Sequence, residues 1–225
     1  GAVPGASVLV MRGGAPVLQR AYGLADLETR APATPDTNYR LASVTKQFTA
    51  AAVLLLTEQG KLRLDDPVSK WLPSLPEATQ GATIRHLLTH TSGLIDYEEF
   101  VADDVPQVHD ADVLRLLENQ NRVYFAPGSA YRYSNSGYAL LALIVAKASG
   151  QPFATFLRER IFAPLEMNST VAFEEGVSTM ERRAYGYTAA GPSWKRTDQS
   201  STSAVLGDGG IYSSISDLAK WDAAL

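Results

Sequence analysis

The stretch Leu41-Ala42-Ser43-Val44-Thr45-Lys46-Gln47-Phe48-Thr49-Ala50 opens the strongest helix signal in this 225-residue chain. From Ser43 to Gln59 the apolar positions Val44, Phe48, Ala51, Ala52, Leu55 and Leu56 return at helical spacing, and Gly60 ends the run. The same stretch carries the best candidate chemistry. With a helix starting at Ser43, Lys46 lies one turn further on the same face. An amine there reaches the serine hydroxyl and takes its proton, the help a neutral hydroxyl needs to attack a carbonyl. The positive end of the helix also favours an oxyanion beside it. A plainer reading makes Ser43 an N-cap. Against it, a lysine in the first turn opposes the helix dipole, where a capping box calls for Glu or Gln. Ser-x-x-Lys also arises by chance, so these residues alone leave both readings open.

Upstream, Ala6 to Met11 and Ala15 to Tyr22 are β-rich runs joined at Gly13-Gly14, a hairpin that needs further strands or helices against one face. Downstream the pattern turns helical. Asp65-Asp66-Pro67 opens a short helix ending near Pro73, Thr83 to Leu88 forms another, and Thr91-Ser92-Gly93 breaks it. Residues 95–108 are acidic and irregular. Helices are predicted over Asp110–Asn119, Gly137–Ala148 (stopped by Gly150) and Pro152–Phe162. Between them stand the Ala126-Pro127-Gly128 turn and an aromatic loop over 129–135. Residues 171–204 give a weak pattern with Tyr185 and Tyr187 in a strand. Gly207–Gly210 reads as a glycine-rich turn, and Ser216-Asp217 caps a last helix to Leu225. Strands first and helices after point to an α+β fold. Without repeat or linker, residues 1–225 read as one domain: a hairpin and nucleophile helix over 1–60, a mainly helical region over 61–170, and a return segment over 171–225.

Composition narrows the function. Hydrophobic residues make up 45% and charged residues 20%, enough apolar side chains for a substantial core. The net charge of −4 with no basic block argues against nucleic acid as a partner. Absence of cysteine excludes disulfides, thiolate metal sites and cysteine nucleophiles. His86, His90 and His109 form no ligand pattern, so neither metal nor cofactor is expected. The longest apolar run, Ala50 to Leu56, is too short for a transmembrane segment. A cysteine-free chain suits a periplasmic or secreted bacterial protein whose leader has been removed, with the cytoplasm as the alternative.

Tyr133-Ser134-Asn135 is the second candidate. It lies in a loop ahead of an apolar helix, where functional groups concentrate. A phenol beside a lysine ammonium can shuttle a proton, and an asparagine can accept from the lysine while donating to a substrate carbonyl. The plainer reading is a core tyrosine and a helix cap. A Ser-His-Asp triad competes, but no Gly-x-Ser-x-Gly elbow occurs, and His90 with Ser92 are too close in sequence to face one another readily. His90 reads instead as a hydrogen-bonding residue in a tight turn. The pairs Asp65-Asp66, Glu98-Glu99 and Asp103-Asp104 read as helix caps or solvated loops rather than a metal or glycosidase site.

Four landmarks together resemble the serine β-lactamase and penicillin-binding protein superfamily, in its class C-like branch of β-lactamases, DD-carboxypeptidases and related esterases. They are the stretch 41–50 quoted above; Gly60-Lys61-Leu62 with Leu64-Asp65-Asp66-Pro67-Val68; Ile84-Arg85-His86-Leu87-Leu88-Thr89-His90-Thr91-Ser92-Gly93-Leu94; and Pro127-Gly128 followed by Tyr133-Ser134-Asn135-Ser136-Gly137-Tyr138. Pro164-Leu165 and Gly209-Gly210-Ile211-Tyr212-Ser213 fit as well. The resemblance implies an antiparallel sheet flanked by helices plus a mainly helical region. It implies an acyl-enzyme on Ser43, activated by Lys46, with Tyr133 in proton transfer and Asn135 orienting the substrate carbonyl. Which of Lys46 and Tyr133 is the base stays open. β-Lactams or D-Ala-D-Ala peptides are the implied substrates, with small esters, or penicillin binding with little turnover, as alternatives. The superfamily's third motif, Lys or His followed by Ser/Thr and Gly, is not in these residues. The resemblance places it on later strands beside the N-terminal hairpin. The expectation is therefore that this sequence is the first two-thirds of such a protein, completed by a C-terminal fragment or by strand exchange with another chain.

Overall fold

The computed structural model describes residues 2–103 and 105–225, so Asp104 of the Asp103-Asp104 pair lies outside the described residues. The chain folds as two compact units. One comprises Ala42–Ile161 with Ser201–Gly210, the other Gly1–Leu41, Phe162–Ser200 and Ile211–Leu225.

The first unit is helical. A 3₁₀ turn over Ala42–Thr45 leads into α1 (Lys46–Glu58), so Ser43 precedes the α-helix instead of starting it. The cause is local: Ala42 takes a left-handed φ of 47°, which tightens the entry into the first turn. Next come α2 (Val68–Trp71), α3 (Ile84–Leu88) and α4 (Asp110–Glu118). Thr83 caps α3, accepting from the His86 amide. α5 (Asn135–Ser149) is apolar on nearly every side, and accordingly lies at the centre with Tyr138 through Ala142, Ile144 and Val145 buried. It begins two residues before Gly137, inside the stretch the sequence assigns to a loop. α6 (Phe153–Leu157) continues into a π turn over Arg158–Phe162. The glycine-rich run is not a plain turn but a short helix, α7 (Leu206–Gly209). Phe48, Leu56, Leu87, Leu140, Leu141 and Ile144 are fully buried in this unit.

The second unit carries the strands. β1 (Ala6–Arg12) and β2 (Ala15–Tyr22) form the expected antiparallel hairpin through Gly13-Gly14. Val8, Val10, Val17 and Leu18 are exposed on it. β3 (Leu24–Asp26) pairs with β4 (Ala31–Pro32), and β5 (Tyr39–Arg40) joins a three-stranded sheet of order β5-β9-β6, with β6 at Val171–Ala172 and β9 at Ile211–Ser213. Tyr187 lies on a strand as expected: β7 (Tyr187–Ala190) pairs with β8 (Ser193–Arg196), a hairpin tied down where Tyr187 Oη and Arg196 both donate to the Asp26 carboxylate, at 3.0 and 2.7 Å. Tyr185 precedes it. The final helix, α8 (Ile215–Ala224), packs beside β1. Its cap is Ser214, which accepts from the Asp217 amide, and not Ser216.

Among the described residues no single helix is long and apolar enough to cross a membrane.

Candidate active site

All four sequence candidates fall in the helical unit and meet there. Ser43 Oγ lies 2.6 Å from Tyr133 Oη and 3.1 Å from Lys46 Nζ. Lys46 Nζ also donates to Asn135 Oδ1 at 2.8 Å and to the carbonyl of Asp208 at 2.9 Å. Three acceptors thus match the three protons of an ammonium. Lys46 is buried while Ser43 and Tyr133 are exposed, so the hydroxyl faces the exterior and the amine is screened from it. The N-cap reading of Ser43 fails on geometry, because α1 is capped at Thr45 without a side-chain hydrogen bond. The core-tyrosine reading fails too, since Tyr133 is 43% exposed.

The His90–Gly93 turn explains how Tyr133 reaches Ser43. His90 O accepts from Arg132 N, Thr91 O from Gly128 N, and Gly93 O from Tyr124 N, at 2.8–3.0 Å. The loop ahead of α5 is thereby laced along this turn. Gly93 has φ +72° and a Cβ there would stand 2.0 Å from the Phe125 carbonyl, so only glycine lets the two backbones approach. His90 is not part of a triad. Its Nδ1 accepts from the Ser134 amide at 3.3 Å, and its ring lies 4.5 Å from that of Tyr133 and 5.2 Å from that of Tyr138. Burial and the nearby Lys46 charge hold its pKa below the ordinary histidine value, which keeps Nδ1 an acceptor. Lys46 Nζ sits 5.0 Å from the Tyr133 ring centre and 5.5 Å from that of Tyr138.

The segment read as irregular and acidic contributes three side chains, Asp96, Tyr97 and Glu98, whose roles sequence reasoning missed. The Asp96 carboxylate accepts from the Asn135 amide at 2.8 Å, satisfying an orphan donor at the start of α5. Ser136 Oγ donates to Ile95 O and accepts from Tyr97 N, locking α5 to the same segment. Glu98 Oε1 accepts from Asn135 Nδ2 at 3.0 Å, so both ends of the asparagine amide are engaged. Burial, then the Asp96 charge, raises the Glu98 pKa. Tyr97 is fully buried and donates to Asp208 Oδ2 at 2.9 Å. Burial pushes the Asp208 carboxyl up to about 7, and Asp110 adds to the rise while Lys46 opposes it. One signal for these roles was in the sequence: aspartates at 96 and 208 stand inside apolar or glycine-rich surroundings. Asp65, Asp66 and Glu99 do structural work. Asp66 accepts from Arg63 N and Lys70, and Asp65 pairs with Arg85. Glu99 pairs with Arg122.

Comparison with known proteins places the chain in a family. The Beta-lactamase family matches residues 1–225. This chain belongs to the beta-lactamase family. Penicillin-binding protein 4* of Bacillus subtilis is 37% identical over 234 residues, covering 97% of this chain and 51% of its own length. Among solved structures, D-amino acid amidase from Ochrobactrum anthropi SV3 superposes with a TM-score of 0.82 at 29% identity, over 99% of this chain and 64% of that one. EstCE1, described as a hydrolase with promiscuous acyltransferase activity, gives 0.80 at 25% identity, over 97% and 66%. The chain spans about half the length of the penicillin-binding relative. The β-lactamase/penicillin-binding protein fold, with α+β composition, is the one the family resemblance implies.

Proposed function

We propose that the protein is a serine acyl hydrolase that forms an acyl-enzyme on Ser43 and acts on β-lactams or D-Ala-D-Ala-type peptides. The observation that carries this is the Ser43 hydroxyl held between Tyr133 Oη and Lys46 Nζ. Ser43 Oγ attacks the carbonyl carbon and gives its proton to Tyr133 Oη, which hands a proton to the leaving nitrogen as the C–N bond breaks. Lys46 keeps its three protons on its three acceptors and supplies positive charge beside the reacting oxygen. Water then attacks the acyl carbon and gives its proton to Tyr133, and Tyr133 passes a proton to Ser43 Oγ as the acyl C–O bond breaks, which releases the carboxylic acid and restores the hydroxyl. The penicillin-binding relative supports the substrate class, and the cysteine-free composition suits export from a bacterial cytoplasm.

A second reading, hydrolysis of small esters or amides, is favoured by Glu98. Its exposed carboxylate occupies the Asn135 Nδ2 donor that would otherwise hold a substrate carbonyl. A substrate bearing an ammonium group next to the scissile bond would bind that carboxylate directly. The amidase and EstCE1 likenesses support this reading. The two readings share Ser43, Lys46 and Tyr133 and differ in the leaving group. Nitrocefin, a nitrophenyl ester and a fluorescent penicillin separate them. Turnover of nitrocefin selects the first reading and turnover of the ester alone the second. Stable labelling without turnover selects a penicillin-binding module. A mass increment that persists in Ser43→Ala refutes the nucleophile assignment.

A further inference from the structure

α7 enters the lysine site from far along the chain, and its backbone is held on every side. Gly207 O accepts from Thr49 Oγ1 at 2.7 Å and Asp208 O accepts from Lys46 Nζ at 2.9 Å. Two successive carbonyls therefore face residues three apart on α1. The two amides just before them are clamped by one carboxylate: Leu206 N donates to Asp110 Oδ2 and Gly207 N to Asp110 Oδ1, both at 2.9 Å. The Asp208 side chain is pinned by Tyr97 Oη. A Cβ on Gly207 would stand 2.2 Å from the Tyr138 carbonyl, so the turn lies directly on the α5 backbone. A carbonyl accepts along the direction its peptide plane allows, and here the planes are set by these tethers.

Asp110 is the costly member of the set. It is buried, and burial pushes its carboxyl up to about 6 even with hydrogen bonds from the backbone amides of Gly207, Leu206 and Asp110 itself opposing the rise. Packing alone would be served as well by an apolar residue. An asparagine offers one acceptor and would point an N–H at the second amide. A carboxylate is the side chain of this size that accepts from both.

We propose that Asp110 is a positioning residue for Lys46, acting through the α7 backbone; the inference rests on Ser43 being the acylated nucleophile. Freeing α7 lets the Asp208 carbonyl drift from Nζ, and Lys46 then loses one of the three acceptors that fix it beside Ser43. Asp110 touches no reacting atom.

The test is the rate of Ser43 labelling by a fluorescent penicillin in wild-type protein, Asp110→Asn and Asp110→Ala, each made also with Lys46→Ala. Misplacement of a reacting group by about 1 Å costs on the order of 100-fold. Asp110→Ala should therefore slow maximal labelling about 100-fold and Asp110→Asn about tenfold, at unchanged half-saturating penicillin. With Lys46 already removed, the same substitutions should change the residual rate less than about threefold, because nothing remains to be positioned. Should Asp110→Ala not fold, Asp110→Asn and Thr49→Val, which frees the neighbouring carbonyl, carry the same expectation. Equal losses with and without Lys46, or a loss confined to half-saturation, overturn the inference and leave the acyl-enzyme reading standing. A wild-type protein that takes no label at Ser43 overturns that reading and this inference with it.

Discussion

Replacing Asp208 with asparagine should stabilise the protein at pH 8 far more than at pH 5. Its carboxyl is 5% exposed and is pushed from an ordinary 3.8 to about 7, with Lys46, Tyr97, Asp110 and Glu98 as the charged or titratable groups around it. A folded-state pKa raised above the unfolded value means that folding disfavours the ionised form. The penalty is absent below pH 3–4, grows as the pH rises, and is complete above about 7. At about 1.4 kcal/mol per pH unit it amounts to about 1.5 kcal/mol at pH 5 and about 4 kcal/mol at pH 8. Asparagine has no such penalty. It keeps an oxygen for the Tyr97 hydroxyl, while its amide N–H groups introduce a desolvation cost of about 1–3 kcal/mol that does not change with pH. The readout is therefore the difference between the two conditions. Urea denaturation of both proteins at pH 5 and pH 8 should show the stability gap moving by about 2–3 kcal/mol in favour of the variant. A gap that is the same at both pH values would mean that Asp208 is not a raised carboxyl, and the electrostatic account of the lysine site would be wrong.

Acidification should slow Ser43 labelling as His90 gains a proton, because Nδ1 then meets the Ser134 amide donor to donor; the slowing should be absent in His90→Gln, measured as labelling rate against pH. Gly93→Ala should destabilise the protein by more than about 2 kcal/mol or prevent folding, read as a fall in Tm, since its Cβ has no room beside the Phe125 carbonyl. Glu98→Gln should lower kcat/KM for an amino-acid amide or ester with a free ammonium group by about tenfold while sparing an uncharged nitrophenyl ester, and equal effects on both would remove Glu98 from substrate selection.

What the sequence reveals follows how local the cause is. α1 and α5 are legible because their apolar residues recur along one segment, and Gly60 and Gly150 mark where they stop. The first turn of α1 is misplaced by a few residues because a left-handed Ala42 and a 3₁₀ entry leave periodicity untouched. The β7–β8 hairpin leaves only a faint trace, since Thr188–Ala190 and Ser193–Lys195 are exposed and show no in-out alternation. Its anchor is the Asp26 carboxylate, more than 150 residues away. The site divides the same way. Ser43 and Lys46 are one turn apart and legible together, and Tyr133 and Asn135 are found through their motif. Asp110 and Asp112 both look like ordinary acids in the first turn of a helix. Asp112 reaches back to the His109 amide, whereas Asp110 reaches a backbone 96 residues on, and nothing in the local sequence separates the two.

The electrostatics of the site show why those long-range groups are there. A lysine ammonium among Ser43, Asn135 and a backbone carbonyl has partners but no direct carboxylate bond. Asp96, Glu98 and Asp110 instead stand one bond away, on the Asn135 amide, on the Asn135 side chain and on the α7 backbone, while the side chain of Asp208, on α7 itself, accepts from Tyr97 Oη. A carboxylate bound directly to Lys46 would take one of the three protons that Ser43, Asn135 and the α7 carbonyl now use, and would neutralise the charge that the proposed acyl transfer needs beside Ser43. Placed one bond further out, the acids orient the neutral acceptors and leave the ammonium's field open toward Ser43. The arrangement carries a penalty in stability at Asp208, which burial raises, with the Asp110 and Glu98 charges adding to the rise. A lysine held by neutral acceptors thus carries a cost in folding free energy that falls on the buried Asp208, so neutralising Asp208 should stabilise the fold at high pH, whereas removing the Asp110 tether on α7 should slow the chemistry.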